Sequence, residues 1–392
     1  MPPSASSVPL SWDLRSPSSP RSLCIFRAPV DTTNPFESAT EEAIVFGTER
    51  GSLHYRCYHV EGNGLQQPLE TSRSTQPINQ SNILSGSGSG SIVSIVAVGP
   101  NTFLMLIDDN RGTSANQPGA YASQLVVLRQ GTFQPLPVKT PRMSGATYST
   151  ELGLVYAAGR QVANLMHESF AKQSSSTSPR SFNHTTAIPL PGVRSGPDAL
   201  EVTCDAQVVV AAVGSVFLAV SVATGSSTKI LSFNNSSQVH PILIRDIKDK
   251  STDWSALIMC SGRECAVVDL WKAPDSETVT AVPRHSIQTP SPILNVATLW
   301  PWIALLTSDG LISLRSPACL AIPLRTVEVG ARPNDFFALQ RISSDTIASL
   351  SYGGECLLLK CSPDTKQVRI FNSMFVQDHC TLYSNPLTTG LG

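Results

Sequence analysis

The sequence predicts an all-β chain folded as a seven-bladed β-propeller, each blade a four-stranded antiparallel sheet, on three observations. Paired apolar segments joined by a tight polar turn recur seven times in the 392 residues. Their turns fall roughly 45 to 60 residues apart, close to the repeat length of four-stranded blades. No segment sustains apolar residues at i, i+3, i+4 and i+7 without Pro, Gly or β-branched interruptions, so helical periodicity is missing.

Residues 1–21, opening MPPSASSVPLSWDLRSPSSP, are rich in proline and serine and read as a disordered tail. The propeller is expected over 22–376, followed by a C-terminal tail over 377–392. Ser22–Ala28 supplies a first strand, and Ala43–Tyr58 a hairpin turning at Gly51. Phe103–Ile107 and Gln124–Leu128 pair across a long polar insertion. Leu154–Met166, Val208–Val222, Ala256–Trp271, Trp302–Pro317 and Ala348–Leu359 complete the series. In Trp302–Pro317 the pair Asp309-Gly310 separates two β-type runs, and glycine accepts the positive φ that tight hairpin turns demand.

Each hairpin is flanked as a blade requires. Buried-type runs precede it at Ser91–Val98, Met143–Tyr148, Ala199–Cys204, Ile242–Ile247, Ile293–Leu299 and Phe336–Ile342. Weaker runs suited to outer strands follow at Phe133–Val138, Thr228–Phe233, Thr278–Val282, Leu320–Val329 and Gln367–Phe371. Three polar stretches, 61–90, 108–123 and 172–187, are expected to be mobile loops outside the blades. Sheets with two apolar faces bury both by stacking radially, which also limits open edges. Trp254, Trp271, Trp300 and Trp302 are expected to fill the space between blades.

Composition narrows the function. With 41% hydrophobic and 15% charged residues and a net charge of −1, the chain has material for a core and no bulk attraction for nucleic acid or an anionic membrane. No apolar run reaches the length of a spanning helix, and none near the start resembles a signal peptide, so no integral membrane segment and a cytoplasmic location are expected. Nine cysteines, an odd number, fit a reducing compartment. Cys260/Cys265 and Cys356/Cys361 share a C-x4-C spacing, but the first pair flanks a hairpin turn and the second brackets one strand, so no metal is expected. No G-x-S-x-G, H-E-x-x-H or P-loop pattern occurs and the seven histidines are scattered, so neither a catalytic residue nor a cofactor is assigned.

Seven such hairpins resemble the WD-repeat family of β-propellers, and the resemblance covers most of the chain. The family's signature dipeptides are displaced: Val239-His240 stands where Gly-His would, and Asp269-Leu270-Trp271-Lys272 replaces Trp-Asp. The resemblance therefore implies a divergent, WD-like propeller without the family's buried Asp-His-Ser/Thr-Trp network. Similar propellers often form the N-terminal part of vesicle-coat, tethering and other large scaffold subunits, which implies a place in a multisubunit assembly, of the membrane-trafficking or another kind.

In WD-like propellers the turn between the second and third strands and the loop leading into the first emerge on one face. Arg50, Arg111, Arg160 and Arg263 lie in or beside such turns, and Arg142, Arg194 and Arg332 in such loops. Guanidinium groups suit planar recognition of carboxylate or phosphate, so this rim is the expected partner-binding site, for an acidic or phosphorylated peptide. Glu49, Asp109, Asp198, Glu264, Asp309 and Asp335 occupy the same loops and could neutralise it. The leading expectation is a non-enzymatic scaffold presenting rim loops to protein partners. The competing expectation is an enzyme or small-ligand binder using the central channel.

Overall fold

A computed structural model describes residues 10–11, 20–27, 41–49, 51, 53–61, 64–65, 90–99, 102–109, 120–129, 132–165, 187–190, 197–203, 206–233, 242–248, 255–272, 279–299, 302–328, 336–341, 346–352, 355–362 and 367–375. A short strand β1 (Leu10–Ser11) precedes the first sheet, which holds β2 (Pro20–Arg27), β3 (Glu41–Thr48), β4 (Leu53–Glu61) and β5 (Gly64–Leu65). The second holds β6 (Ser91–Gly99), β7 (Thr102–Asp108), β8 (Ala122–Arg129) and β9 (Thr132–Pro135). The third holds β10 (Gly145–Ser149), β11 (Gly153–Ala158), β12 (Gln161–Leu165) and β13 (Ile188–Pro189). The fourth holds β14 (Ala199–Val202), β15 (Val208–Val213), β16 (Val216–Ser221) and β17 (Ser227–Ser232). β18 (Ile242–Lys248), β19 (Ser255–Ser261), β20 (Glu264–Lys272) and β21 (Val279–Gln288) make the fifth. β22 (Ile293–Leu299), β23 (Trp302–Thr307), β24 (Leu311–Ser316) and β25 (Cys319–Glu328) make the sixth. The last is β26 (Phe336–Arg341), β27 (Thr346–Ser351), β28 (Glu355–Ser362) and β29 (Gln367–Phe375), with β1 added outside β29.

Every pairing in these sheets is antiparallel except one, the parallel register of Leu10 on Met374 and Ser11 on Phe375. The chain is an all-β propeller of antiparallel sheets. Side chains are described through most of five sheets, the second to the sixth, and through parts of the first and last. Successive first strands lie side by side, β2 with β6, β6 with β10, β10 with β14, β14 with β18, β18 with β22 and β22 with β26, and β26 in turn lies beside β2.

Strand alternation explains the apolar runs. Phe103, Met105 and Ile107 of β7 pack with Val45 and Leu53 of the first sheet, whereas Leu104 and Leu106 pack with Leu154 of the third and with Met143 in the loop leading into it. Val209 and Ala211 of β15 join Val155 and Val162, while Val208, Val210 and Ala212 join Leu257 and Met259 of the fifth sheet. Ile258 and Val267 then meet Ile303 and Leu305, and Leu306 and Ile312 meet Phe336 and Ile347. Successive side chains of a strand point to opposite faces, so a strand with a sheet on either side has no polar face to alternate with. Trp302 is buried in the last of these clusters. Trp254 and Trp300 lie outside the described residues, and only the backbone of Trp271 is described.

Two fourth strands depart from the sequence reading. Gly64–Leu65 pairs with Val60–Glu61, inside a stretch that composition marks as a loop, and Ile188–Pro189 pairs with Gln161–Val162 after the serine-rich insertion. Residues 66–89, 110–119 and 166–186, the bulk of the three expected loops, lie outside the described residues. Among the described residues no helix is long and apolar enough to cross a membrane.

Candidate functional site

Three consecutive sheets carry the same turn between their second and third strands: Ala158-Gly159-Arg160-Gln161, Val213-Gly214-Ser215-Val216 and Ser261-Gly262-Arg263-Glu264. The first central residue is glycine each time, with φ of 58°, 57° and 60°. Glycine there is the mark of a type II′ hairpin turn, whose twist matches that of the flanking strands. The second central residue is thus fixed at the tip of each hairpin. Its carbonyl is anchored identically, accepting the N–H that follows the outer strand: Leu190 to Arg160 at 2.9 Å, Phe233 to Ser215 at 2.9 Å and Thr289 to Arg263 at 2.8 Å. Arg160, Ser215 and Arg263 therefore occupy equivalent positions on neighbouring sheets.

The loops leading into the first strands come to the same face. The Asp198 N–H donates to Ala212 O at 2.7 Å, and its carboxylate accepts the Gly214 N–H at 2.8 Å. Burial raises the Asp198 pKa, and the Gly214 bond opposes that. Ser291 Oγ donates to Asp309 Oδ2 at 2.9 Å, while Thr307 Oγ1 donates to Asp309 Oδ1 at 2.5 Å. The Ile293 N–H reaches Gly262 O of the preceding sheet at 2.7 Å.

The structure sorts the predicted arginines by what they do. Arg160 and Arg263 are exposed, and neither has a carboxylate partner among the described residues. Arg142 is committed within the chain. Its guanidinium grips Asp109 through Nη1 at 3.0 Å and Nη2 at 2.8 Å, and donates to Ala120 O from Nε at 3.2 Å and Nη2 at 2.8 Å. Only 3% of the Asp109 side chain is exposed, so this pair fastens the second sheet to the loop leading into the third. The hydrogen bond to Asp109 is the main cause of a raised Arg142 pKa. Beside it, Tyr121 and Met143 exchange backbone hydrogen bonds at 2.7 and 3.0 Å. Arg50, Arg111, Arg194, Arg332 and Asp335 lie outside the described residues.

Two features escaped sequence reading. Ser215 carries no charge and so drew no notice, although the Gly-Xaa turn pattern it shares with Arg160 and Arg263 was there to find. Tyr352, in the turn after β27, stacks on Phe337 of β26 with ring centroids 4.5 Å apart and 22° between planes, and is 38% exposed. Among the described residues no group of three or more His, Cys, Asp or Glu converges as a metal site.

Radial antiparallel sheets presenting hairpin tips on one face define a β-propeller of the WD-repeat type at the level of fold. Three solved structures share it across nearly the whole chain. Sqt1 of Saccharomyces cerevisiae aligns with a TM-score of 0.56 at 9% identity, covering 94% of this chain and 89% of that one. The computationally designed protein Ika8 gives 0.51 at 12% identity over 90% and 86%. The C-terminal WD40 domain of Sif2 gives 0.50 at 12% identity over 91% and 86%. No family model and no curated protein matches the sequence.

Proposed function

We propose that this chain is a non-enzymatic, cytoplasmic scaffold, a closed ring of seven blades whose turn face binds an acidic or phosphorylated segment of a protein partner. Seven sheets with cyclic neighbour relations support the blade count. One observation carries the site: Arg160 and Arg263 hold equivalent, anchored turn positions with their guanidinium groups exposed. Three described acids of the face are engaged within the chain, Asp109 by Arg142, Asp198 by a turn N–H and Asp309 by two hydroxyls, while Glu49 and Glu264 remain beside the turns. Preformed tips on a rigid frame keep the ordering cost of association low.

In this reading Arg160 and Arg263 are the anchors, with Ser215 between them as a hydrogen-bonding group. Arg50, Arg111, Arg194 and Arg332, outside the described residues, are expected from the sequence alone to belong to the same rim. Arg142 supports the face from within. Membership of a coat or tethering assembly in membrane trafficking follows only from resemblance, and recovery of a stoichiometric complex by affinity purification tests it.

The site is tested with a fluorescent peptide bearing alternating glutamate and phosphoserine. Replacing Arg160 and Arg263 together with alanine is expected to weaken binding at least tenfold and to flatten its salt dependence. Unchanged affinity in a variant that keeps its wild-type circular dichroism would overturn the reading.

A further inference from the structure

The hairpin that presents Arg263 carries a pair of thiols whose arrangement suits chemistry. Cys260 on β19 and Cys265 on β20 are direct cross-strand partners. Neither is joined in a disulfide, both are fully buried, and they share one apolar cluster with Ile258, Val267, Ile293 and Leu320. Cross-strand partners project from the same face of a sheet, so the two sulfurs face the same space. Gly262 and Arg263 are the only residues of the turn, which makes Ser261 and Glu264 the hydrogen-bonded pair that closes it. The next pair outward, Cys260 and Cys265, is then of the non-hydrogen-bonded kind, in which Cα atoms approach to about 4.5 Å.

That spacing lies at the short end of what a disulfide spans, about 4.4 to 6.8 Å. A bond formed there is compressed, and compressed disulfides are the ones that thiol reductants reopen. One further group bears on the pair. Arg315 of β24 lies within electrostatic reach of Cys265, and its guanidinium donates to Ser313 Oγ and to the carbonyls of Leu320 and Ala321.

We propose that Cys260 and Cys265 are a reversible dithiol–disulfide site, oxidised by hydrogen peroxide. In the first step one thiolate attacks a peroxide oxygen, the O–O bond breaks, and a sulfenic acid forms as hydroxide leaves and takes up the proton that the thiol gave, becoming water. In the second the other thiol attacks that sulfur, the S–S bond forms, the S–O bond breaks and a second water departs. Two thiols lose two electrons and the peroxide gains them. The pair lies just behind the exposed tip at Arg263, so opening of the hairpin end admits the oxidant without unfolding the sheet. Because a disulfide prefers a wider Cα separation than a non-hydrogen-bonded pair supplies, oxidation strains the two strands that carry the tip and changes how Arg263 is presented; that consequence rests on the binding reading, while the disulfide does not.

The sequence supplies a direct assay. Trypsin cleaves after Arg263, so the two sulfurs end in different peptides, 251–263 and 264–272, each with a single cysteine. Folded protein is treated with hydrogen peroxide, alkylated and digested without reduction. The expected product is the two peptides joined, two hydrogens lighter than their sum, and separated by dithiothreitol. Cys260→Ser is expected to abolish it. Cys319, free and exposed, reports that the oxidant acted. If Cys319 is oxidised while both peptides are recovered alkylated, or if the joined species appears only in guanidinium-unfolded protein, the proposal is overturned. Peptide binding measured on the joined form reports separately on the presentation of Arg263.

Discussion

A Cβ built on Gly90 would lie 2.6 Å from the Asp108 carbonyl oxygen and 2.7 Å from Ile107 Cγ2, so a single methyl has nowhere to go. One built on Gly214 meets nothing within 4 Å, and only its φ of 57° resists a side chain. The two glycines are needed for different reasons. Gly90→Ala must displace backbone and is expected to cost about 1 to 3 kcal/mol; Gly214→Ala bears only left-handed strain, about 1 kcal/mol. Urea midpoints measure both, and the reverse order would refute the distinction. Asp198 offers a second test. Its pKa is raised in the fold, so its contribution to stability is fully present below the unfolded value and lost as pH rises through the folded one. Asp198→Asn keeps an acceptor for the Gly214 N–H without the charge. Relative to that variant, the wild type is expected to gain melting temperature as pH falls into the carboxylate range, modestly because the residue as a whole is exposed. A relative loss on acidification would contradict the assignment.

Hairpins are the elements that sequence exposes best, because everything that specifies them lies within a few residues: apolar runs, a glycine able to take positive φ, and a second run. Trp302–Thr307 with Leu311–Ser316 and Val208–Val213 with Val216–Ser221 were readable for that reason. Gly64–Leu65 and Ile188–Pro189 were not, since two residues have no period and their pairing depends on a partner already in place. The parallel addition of Leu10–Ser11 to β29 is less legible still, joining residues at opposite ends of the chain. Equivalence among the turns makes a gain of function testable. Ser215 holds between Arg160 and Arg263 the position that each of them holds on its own sheet, so Ser215→Arg is expected to complete a cationic row on three adjacent sheets. Tighter binding of the acidic peptide, severalfold at low salt and less at high salt, is the expected result. No gain, with the turn intact by nuclear magnetic resonance, would mean that these tips do not act together.

At the scale of the molecule, sequence shows which residues are charged but not which charges are already spent. Arg142 and Asp109 lie 33 positions apart across an insertion, and nothing local in the chain signals that they form a two-pronged pair with the carboxylate buried. A rim arginine is therefore not always a free charge, and Arg142 is spent within the chain. The core is organised just as strictly by neighbours, since each apolar cluster among the described residues joins two adjacent sheets, and alternate residues of one strand serve different clusters. Phe217 and Met259 belong to the cluster between the fourth and fifth sheets, whereas Met105 belongs to that between the first and second. Substitutions in separate clusters share no partners and should add within about 0.3 to 0.5 kcal/mol, while those within one cluster relax into the same space. Phe217→Leu combined with Met259→Val is therefore expected to depart from the sum of the singles by about 0.5 kcal/mol or more. Phe217→Leu with Met105→Val is expected to add. Denaturant unfolding of the five variants and the wild type decides it, and coupling of equal size in both pairs would mean that strain passes around the ring rather than stopping at the next sheet.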